Sequence, residues 1–182
     1  MKVTLKNVRL SFPNIFDAVE HEGKVQYGAQ FLIEPDSANA KAIEKAMTDV
    51  AKEKWADKGA AILKIARSTG SNKECCYWKG ETKAYDGYDG MMVLTAKRNE
   101  DAGRPLVIDQ GKNPLAASDG KPYAGCFVNA SVDLWPQDNK HGKTVRATLM
   151  GVQFAKDGDA FGAGTQVADV DEFDDLSADD LV

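Results

Sequence analysis

The sequence predicts a mainly β domain, a small and partly open β-barrel with one inserted helix, followed by a disordered acidic C-terminal tail. Two patterns indicate the barrel. Several segments alternate apolar and polar residues with the two-residue period of a strand, and only one long segment has the period of a helix. Strands and helices do not alternate along the chain, which argues against a parallel α/β sheet. A third pattern, the one-sided charge of the C-terminus, indicates the tail.

Two strands are expected at the N-terminus. Residues 2–12 alternate, but the apolar phase changes at Lys6–Asn7, which indicates a bulge or a bend. Pro13 is expected to end this strand. Residues 25–33 alternate without interruption and predict the second strand.

The next segment has a helical period. Residues 36–57 place Ile43, Met47, Val50 and Ala51 on one face, Asp36 or Ser37 can cap the start, and Gly59 can end the helix. Residues 60–67 fit either a second short helix or a strand, and periodicity does not decide between them.

The second half of the chain alternates loops and strands. Residues 68–90 and 110–124 are polar and are expected to be loops. The clearest of the expected strands is 125–135, and one of its faces is apolar and consists of Cys126, Val128, Ala130, Val132 and Leu134. The strands are expected at 91–98, 105–109, 125–135 and 143–155. The five-stranded oligonucleotide-binding barrel fits this order best.

Charge divides the chain into two parts. Residues 1–156 hold all 23 Lys and Arg and 19 of the 28 Asp and Glu, a net charge of +4, and are assigned to one domain. Residues 157–182 hold nine acids and no cation, and are assigned to a flexible tail. A basic body is suited to a polyanion, and an acidic tail to basic partners or to mimicry of that polyanion.

Other classes of protein lack support. No apolar run approaches the ~20 residues of a membrane span, the N-terminus does not read as a signal peptide, and three Cys do not form a disulfide framework. A reducing cytoplasm is therefore expected. No zinc, phosphate-loop or nucleophile motif occurs, so we expect no cofactor, no metal and no enzyme. One enzymatic alternative stays open, a magnesium-dependent nuclease or resolvase that uses Asp86, Asp89, Asp101, Asp109 and Asp133.

Aromatic and cationic residues are interleaved in the loops and strands of the second half. Aromatic faces that stack on bases, beside cations that follow phosphates, are how single-stranded nucleic acid is bound. The stacking candidates are Tyr77, Trp78, Tyr85, Tyr88, Phe127 and Trp135, with core packing left open for Trp78 and Trp135. The phosphate candidates are Lys79, Lys83, Lys97, Arg98, Arg104, Lys143 and Arg146.

The chain resembles a phage-encoded family of single-stranded DNA-binding proteins along essentially its whole length. The matching stretches are NVRLSFP (7–13), YDGYDGMMVLT (85–95), Arg104–Pro105, YAGCFVNASVDLW (123–135), GVQFAKDGDAFG (151–162) and Glu172–Phe173. The resemblance implies an oligonucleotide-binding barrel that coats single-stranded DNA in phage replication, recombination or repair.

The expected partners follow from the interpretation of the chain as a single-stranded DNA-binding protein. They are single-stranded DNA, duplex DNA more weakly, and replication or recombination proteins, with a homo-oligomer left open and no membrane. The partner-binding tail residues are Asp171, Glu172, Phe173, Asp174, Asp175, Asp179 and Asp180. Acidic tails of related classes end in an aromatic residue, whereas this chain ends Leu181–Val182. A pure protein-interaction module that acts through the tail is the remaining alternative.

Overall fold

The computed structural model describes residues 1–162, so the acidic residues 171–180 and their expected role lie outside the described part. That part contains two α-helices and seven strands. In chain order they are β1 (Lys2–His21), β2 (Lys24–Ile33), α1 (Ala38–Trp55), α2 (Gly59–Ala66), β3 (Tyr77–Lys79), β4 (Met92–Asn99), β5 (Leu106–Ile108), β6 (Phe127–Asn139) and β7 (Gly142–Lys156).

Five of the strands close into a ring. The sheet order is β3-β4-β2-β1-β6-β7-β5, and β4 also pairs with β7 in parallel at Lys97 and Thr148. This last pairing joins β4, β2, β1, β6 and β7 into a closed barrel, while β3 and β5 remain as short flanking strands. The predicted five-stranded barrel with an inserted helix is confirmed.

Strand β1 is longer than the sequence predicts. The change of phase at Lys6–Asn7 is a bulge, because the register against β6 shifts between Leu5 and Val8 and Asn7 has φ of 52°. The predicted end at Pro13 is wrong. A second register shift, between Ser11 and Asn14, accommodates the proline, and the strand continues to His21. Bulges are among the few sites where a strand tolerates proline.

The two helices pack together beside the barrel. Ser37 caps α1 as predicted, since its Oγ accepts a hydrogen bond of 3.1 Å from the Ala40 amide. Residues 60–67, which periodicity left open, are helical up to Ala66, since α2 spans Gly59–Ala66. The guanidinium of Arg67, at the end of α2, makes two hydrogen bonds to the Glu44 carboxylate of α1. Such a two-point contact fixes the angle between the helices.

The barrel interior holds the alternating face of β6. All five apolar residues predicted to share this face are at most 2% exposed. They belong to one cluster with Leu5 and Leu10 of β1, Phe31 of β2 and Ile43 of α1. The period-two prediction is therefore confirmed.

Residues 157–162 lie against the barrel. The Arg9 guanidinium donates to the Asp159 carbonyl at 2.7 Å and its Cζ sits 4.2 Å from the centre of the Phe161 ring. The Phe161 amide donates to the Ala124 carbonyl, and the Tyr123 hydroxyl donates to the Asp157 carboxylate. We therefore propose that the tail begins after Gly162 rather than after Lys156.

Candidate nucleic-acid interface

Strands β2 and β4 pair side by side, and their outward-pointing residues form one face of the barrel, which we call the outer face. Its paired residues, from one end to the other, are Leu32–Val93, Gln30–Thr95, Gly28–Lys97 and Gln26–Asn99. The residues between them, such as Ala29, Phe31, Leu94 and Ala96, point inward and are at most 3% exposed. Period-two alternation therefore presents polar groups and the exposed Lys97 from Gln30–Thr95 to Gln26–Asn99, whereas Leu32 and Val93 are buried at the other end.

A basic groove of about 630 Å³ opens at the Gln26–Asn99 end of this face. We call it the groove. It is lined by the β1–β2 turn, the two strands of the outer face, the segment before β3, and the facing parts of β6 and β7. In the described part of the chain, its charged residues are one acid and five cations: Glu22, Lys24, Lys73, Lys97, Arg98 and Arg146. In small barrels of this type the face of the second and third strands and the adjoining turns bind oligonucleotides.

Trp135 and Arg146 meet in the groove. They are directly paired across β6 and β7, and the Trp135 side chain is 41% exposed. Arg146 is held in place, because its Nε donates to Gln137 Oε1 at 3.2 Å and its Nη2 donates to the Lys73 carbonyl at 2.6 Å. An exposed indole beside a fixed guanidinium suits a stacked base with its phosphate.

Lys97 and Arg98 both line the groove, but they differ in exposure and in their contacts. Lys97 is exposed on the outer face. Arg98 donates through Nε to the Gly103 carbonyl and through Nη2 to the Ala102 carbonyl, both at 2.7 Å. Arg98 therefore fixes the turn after β4 while it contributes positive charge to the groove wall.

The other end of the outer face is covered by buried aromatic residues. Trp78 and Tyr88 pack there on Leu32 and Val93, whereas Tyr77, which pairs with the inward-pointing Leu94, packs in the main core. All three are at most 2% exposed, so their interpretation as base-stacking residues is corrected. The Trp78 indole donates to Thr95 Oγ1 at 2.9 Å, and the Tyr88 hydroxyl bonds to Ser11 and Gln30. Burial raises the pKa values of Tyr77 and Tyr88 to about 12, so both hydroxyls stay protonated at neutral pH.

Phe12 and Tyr85 form an exposed aromatic patch above this buried layer. They are 49% and 46% exposed, their ring centres are 5.0 Å apart, and Tyr85 rests on Tyr88 at 5.2 Å. Phe12 was not among the predicted stacking residues, because it lies in the alternating segment 2–12. Its φ of 45°, at the second bulge, turns the ring outward. A bulky residue in this backbone region is a strained position of the kind found at binding sites.

The remaining candidates are dispersed. Phe127 is at the opposite end of β6 from Trp135 and is covered by Arg9 and Lys156, whose cationic groups lie 5.9 and 4.7 Å from its ring centre. Lys143 sits 3.9 Å from Asp138 at the β6–β7 turn. Lys79, Lys83 and Arg104 are exposed outside the groove. The sequence analysis missed Lys24 and Lys73, which only the folded chain brings beside Lys97.

The proposed acidic metal site finds no counterpart in residues 1–162, where no three His, Cys, Asp or Glu are placed to hold an ion. Asp109 accepts hydrogen bonds from Asn113, which lower its pKa, and Asp133 pairs with the N-terminal amine at 2.7 Å. These are structural roles. In the same part of the chain, neither helix is long and apolar enough to cross a membrane.

Two adjacent thiols lie in the segment before β3. Cys75 and Cys76 are buried, and Cys76 lines the groove floor. The hydrogen bond between their side chains lowers the pKa of Cys75 to about 6 and raises that of Cys76. The Cys76 amide donates to the Val145 carbonyl, and the Cys76 carbonyl accepts from the Thr95 amide. These two hydrogen bonds join the segment before β3 to the barrel.

Comparison with known proteins places the chain in a family. The model of a family described as "Enterobacter phage Enc34, ssDNA-binding protein" matches residues 1–182. Putative protein p50 of Acyrthosiphon pisum secondary endosymbiont phage 1 is 46% identical over 181 residues, which cover 97% of this chain and 95% of p50. The single-stranded DNA-binding protein of bacteriophage Enc34, solved in complex with ssDNA, is 25% identical with a TM-score of 0.72, over 88% of this chain and 89% of that one.

A more distant structure shares the fold alone. It is gp2.5, a single-stranded DNA-binding protein encoded by bacteriophage T7, with 15% identity and a TM-score of 0.59 over 91% of each chain. The whole-chain match to the family model and the high identity to p50 lead to one conclusion: this chain belongs to the Enc34 family of phage ssDNA-binding proteins.

Proposed function

We propose that this protein binds single-stranded DNA with little sequence preference and coats it during phage DNA replication, recombination or repair in the cytoplasm of the bacterial host. One observation carries the proposal. The outer face of β2 and β4 joins an aromatic patch at one end to a basic groove at the other, in a member of a family whose Enc34 representative was solved with ssDNA.

The two ends of the face supply different contributions. At the groove, Lys97 and Arg146 can neutralise phosphates while Trp135 stacks on a base. At the aromatic patch, Phe12 and Tyr85 offer ring faces or edges to a second base. Each stacked base contributes ~1–3 kcal/mol, and every base has a π-face, so this mode of binding tolerates sequence changes. We infer a binding role without catalysis, because these side chains offer stacking and charge rather than acid, base or nucleophile.

The tail is assigned a second role within the same proposal. The Gly162 amide lies 3.4 Å from Asp86 Oδ2, so the described chain ends next to Tyr85 and the aromatic patch. The chain continues from this point to the acids from Asp171 to Asp180. We propose that they contact basic replication or recombination proteins and compete with DNA for the groove when no partner is present.

The aromatic patch provides the test of this function. Phe12→Ala and Tyr85→Ala should each weaken binding to fluorescent oligo-dT by ~1–3 kcal/mol, measured by anisotropy. Leu106→Ala is the matched control, because Leu106 is 60% exposed on β5 and lies outside the outer face. If the parent protein, the two aromatic variants and the Leu106→Ala control all bound oligo-dT with equal affinity, the aromatic patch would not be part of the interface. If the parent protein did not bind oligo-dT, the proposed function would be refuted.

A further inference from the structure

One acidic side chain stands inside the basic groove. Within residues 1–162, Glu22 is the one acid that lines it. Its Oε1 lies 3.6 Å from Lys73 Nζ, and these side chains are 69% and 79% exposed. Glu22 belongs to the β1–β2 turn and Lys73 to the segment before β3, so this ion pair connects two walls of the groove.

The backbone at Glu22 is unfavourable for a glutamate. His21 pairs with Lys24, which leaves Glu22 and Gly23 as a two-residue hairpin loop with φ of 51° and 77°. Turns with both central residues at positive φ favour Asn, Asp or Gly at the first position. Glutamate has no such preference, but its longer side chain brings the carboxylate to Lys73. An observed backbone outlier at a candidate binding site motivates a functional hypothesis.

The backbone of Lys73, the partner of Glu22, is held by Arg146. The Lys73 carbonyl accepts the 2.6 Å hydrogen bond from Arg146 Nη2, which is itself paired across the sheet with the exposed Trp135. The Lys73 backbone is therefore fixed beside Arg146, and its exposed side chain extends from there to Glu22. A carboxylate at the Lys73 ammonium occupies a position that a phosphate oxygen would otherwise take.

We propose that Glu22 is an internal competitor for phosphate at Lys73, which an entering strand displaces. The inference rests on the proposed function of the groove. An exposed ion pair of this type is weak and screened by salt, so a strand that engages several cations at once can open it. Glu22 thereby lowers the affinity of the groove and keeps Lys73 from holding isolated anions.

The test removes the charge and keeps the turn. Glu22→Gln and Glu22→Asn, the second of which suits the turn better, should tighten oligo-dT binding by about two- to five-fold at 0.15 M salt. Glu20→Gln is the matched control. It removes the same charge from the same hairpin, but Glu20 pairs with Val25 and does not line the groove. With a Debye length of about 8 Å at this salt, the control should change affinity less.

A double-mutant cycle separates competition from a general field effect. In a Lys73→Gln background, Glu22→Gln should lose most of its effect, because the ammonium for which the carboxylate competes is gone. An undiminished gain in that background, a gain equal to that of Glu20→Gln, or weaker binding by Glu22→Gln would each overturn the proposal. If the parent protein failed to bind oligo-dT at all, the proposed function itself would fall, which is a distinct result.

Discussion

Replacing Trp78 and Trp135 separately with alanine should produce opposite effects. Trp78 is 2% exposed, packs on Tyr88 at a ring separation of 6.0 Å, and donates its indole N–H to Thr95. Trp78→Ala should cost ~3–5 kcal/mol of stability, as for other buried large-to-small substitutions. For a chain of this size the melting temperature should fall by ~6–20 °C.

Trp135→Ala should leave stability nearly unchanged and weaken DNA binding instead. Its indole is 41% exposed on the groove, so ~1–3 kcal/mol of affinity, about 5- to 150-fold, should be lost if it stacks on a base. Urea denaturation measures stability, and oligo-dT anisotropy well below the melting temperature measures affinity. A stable Trp78→Ala that loses DNA binding, or a Trp135→Ala that unfolds, would refute this division between core and interface.

Two further predictions follow from the tail and from the buried tyrosines. A variant that ends at Gly162 loses seven acids and changes the net charge from −5 to +2. It should bind oligo-dT more tightly at low salt, with a gain that shrinks as salt screens the tail, and weaker binding would contradict competition. Burial raises the pKa of Tyr88 to about 12 from about 10 in the unfolded chain. The contribution of the buried Tyr88 hydroxyl to the free energy of unfolding is complete below pH 10 and is lost as the pH rises towards 12. In Tyr88→Phe, the free energy of unfolding should therefore fall less steeply with alkaline pH.

The elements that sequence predicts well are those with a local cause. The apolar face of β6 and the helix α1 follow from periods of 2 and 3.6, and Ser37 caps α1 through a contact three residues away. These features do not depend on how distant segments meet. The barrel follows from the number and order of the strands.

The candidate interface depends on contacts between residues that are far apart in the sequence, and no local sequence pattern predicts such contacts. Trp78 and Tyr88 belong to the polar segment 68–90 that was predicted as a loop, yet Trp78 lies in strand β3 and both pack on the outer face of β2 and β4, where Thr95 and Gln30 accept their hydrogen bonds. Phe12 is exposed because a bulge reverses the sign of its φ. The groove brings together side chains from five segments of the chain, so its charge was visible in the sequence only as dispersed lysines and arginines.

The central claim is that the groove and the outer face hold single-stranded DNA through phosphate contacts and stacking. A salt series of binding to oligo-dT and to a matched duplex tests it most directly. Log affinity for oligo-dT should fall linearly with log salt, by about 0.7 per phosphate neutralised, and Lys97→Gln should reduce the slope by about that amount. Lys41→Gln, on α1 and away from the groove, should leave the slope unchanged. A flat salt response, or tighter binding of the duplex than of oligo-dT, would contradict the account.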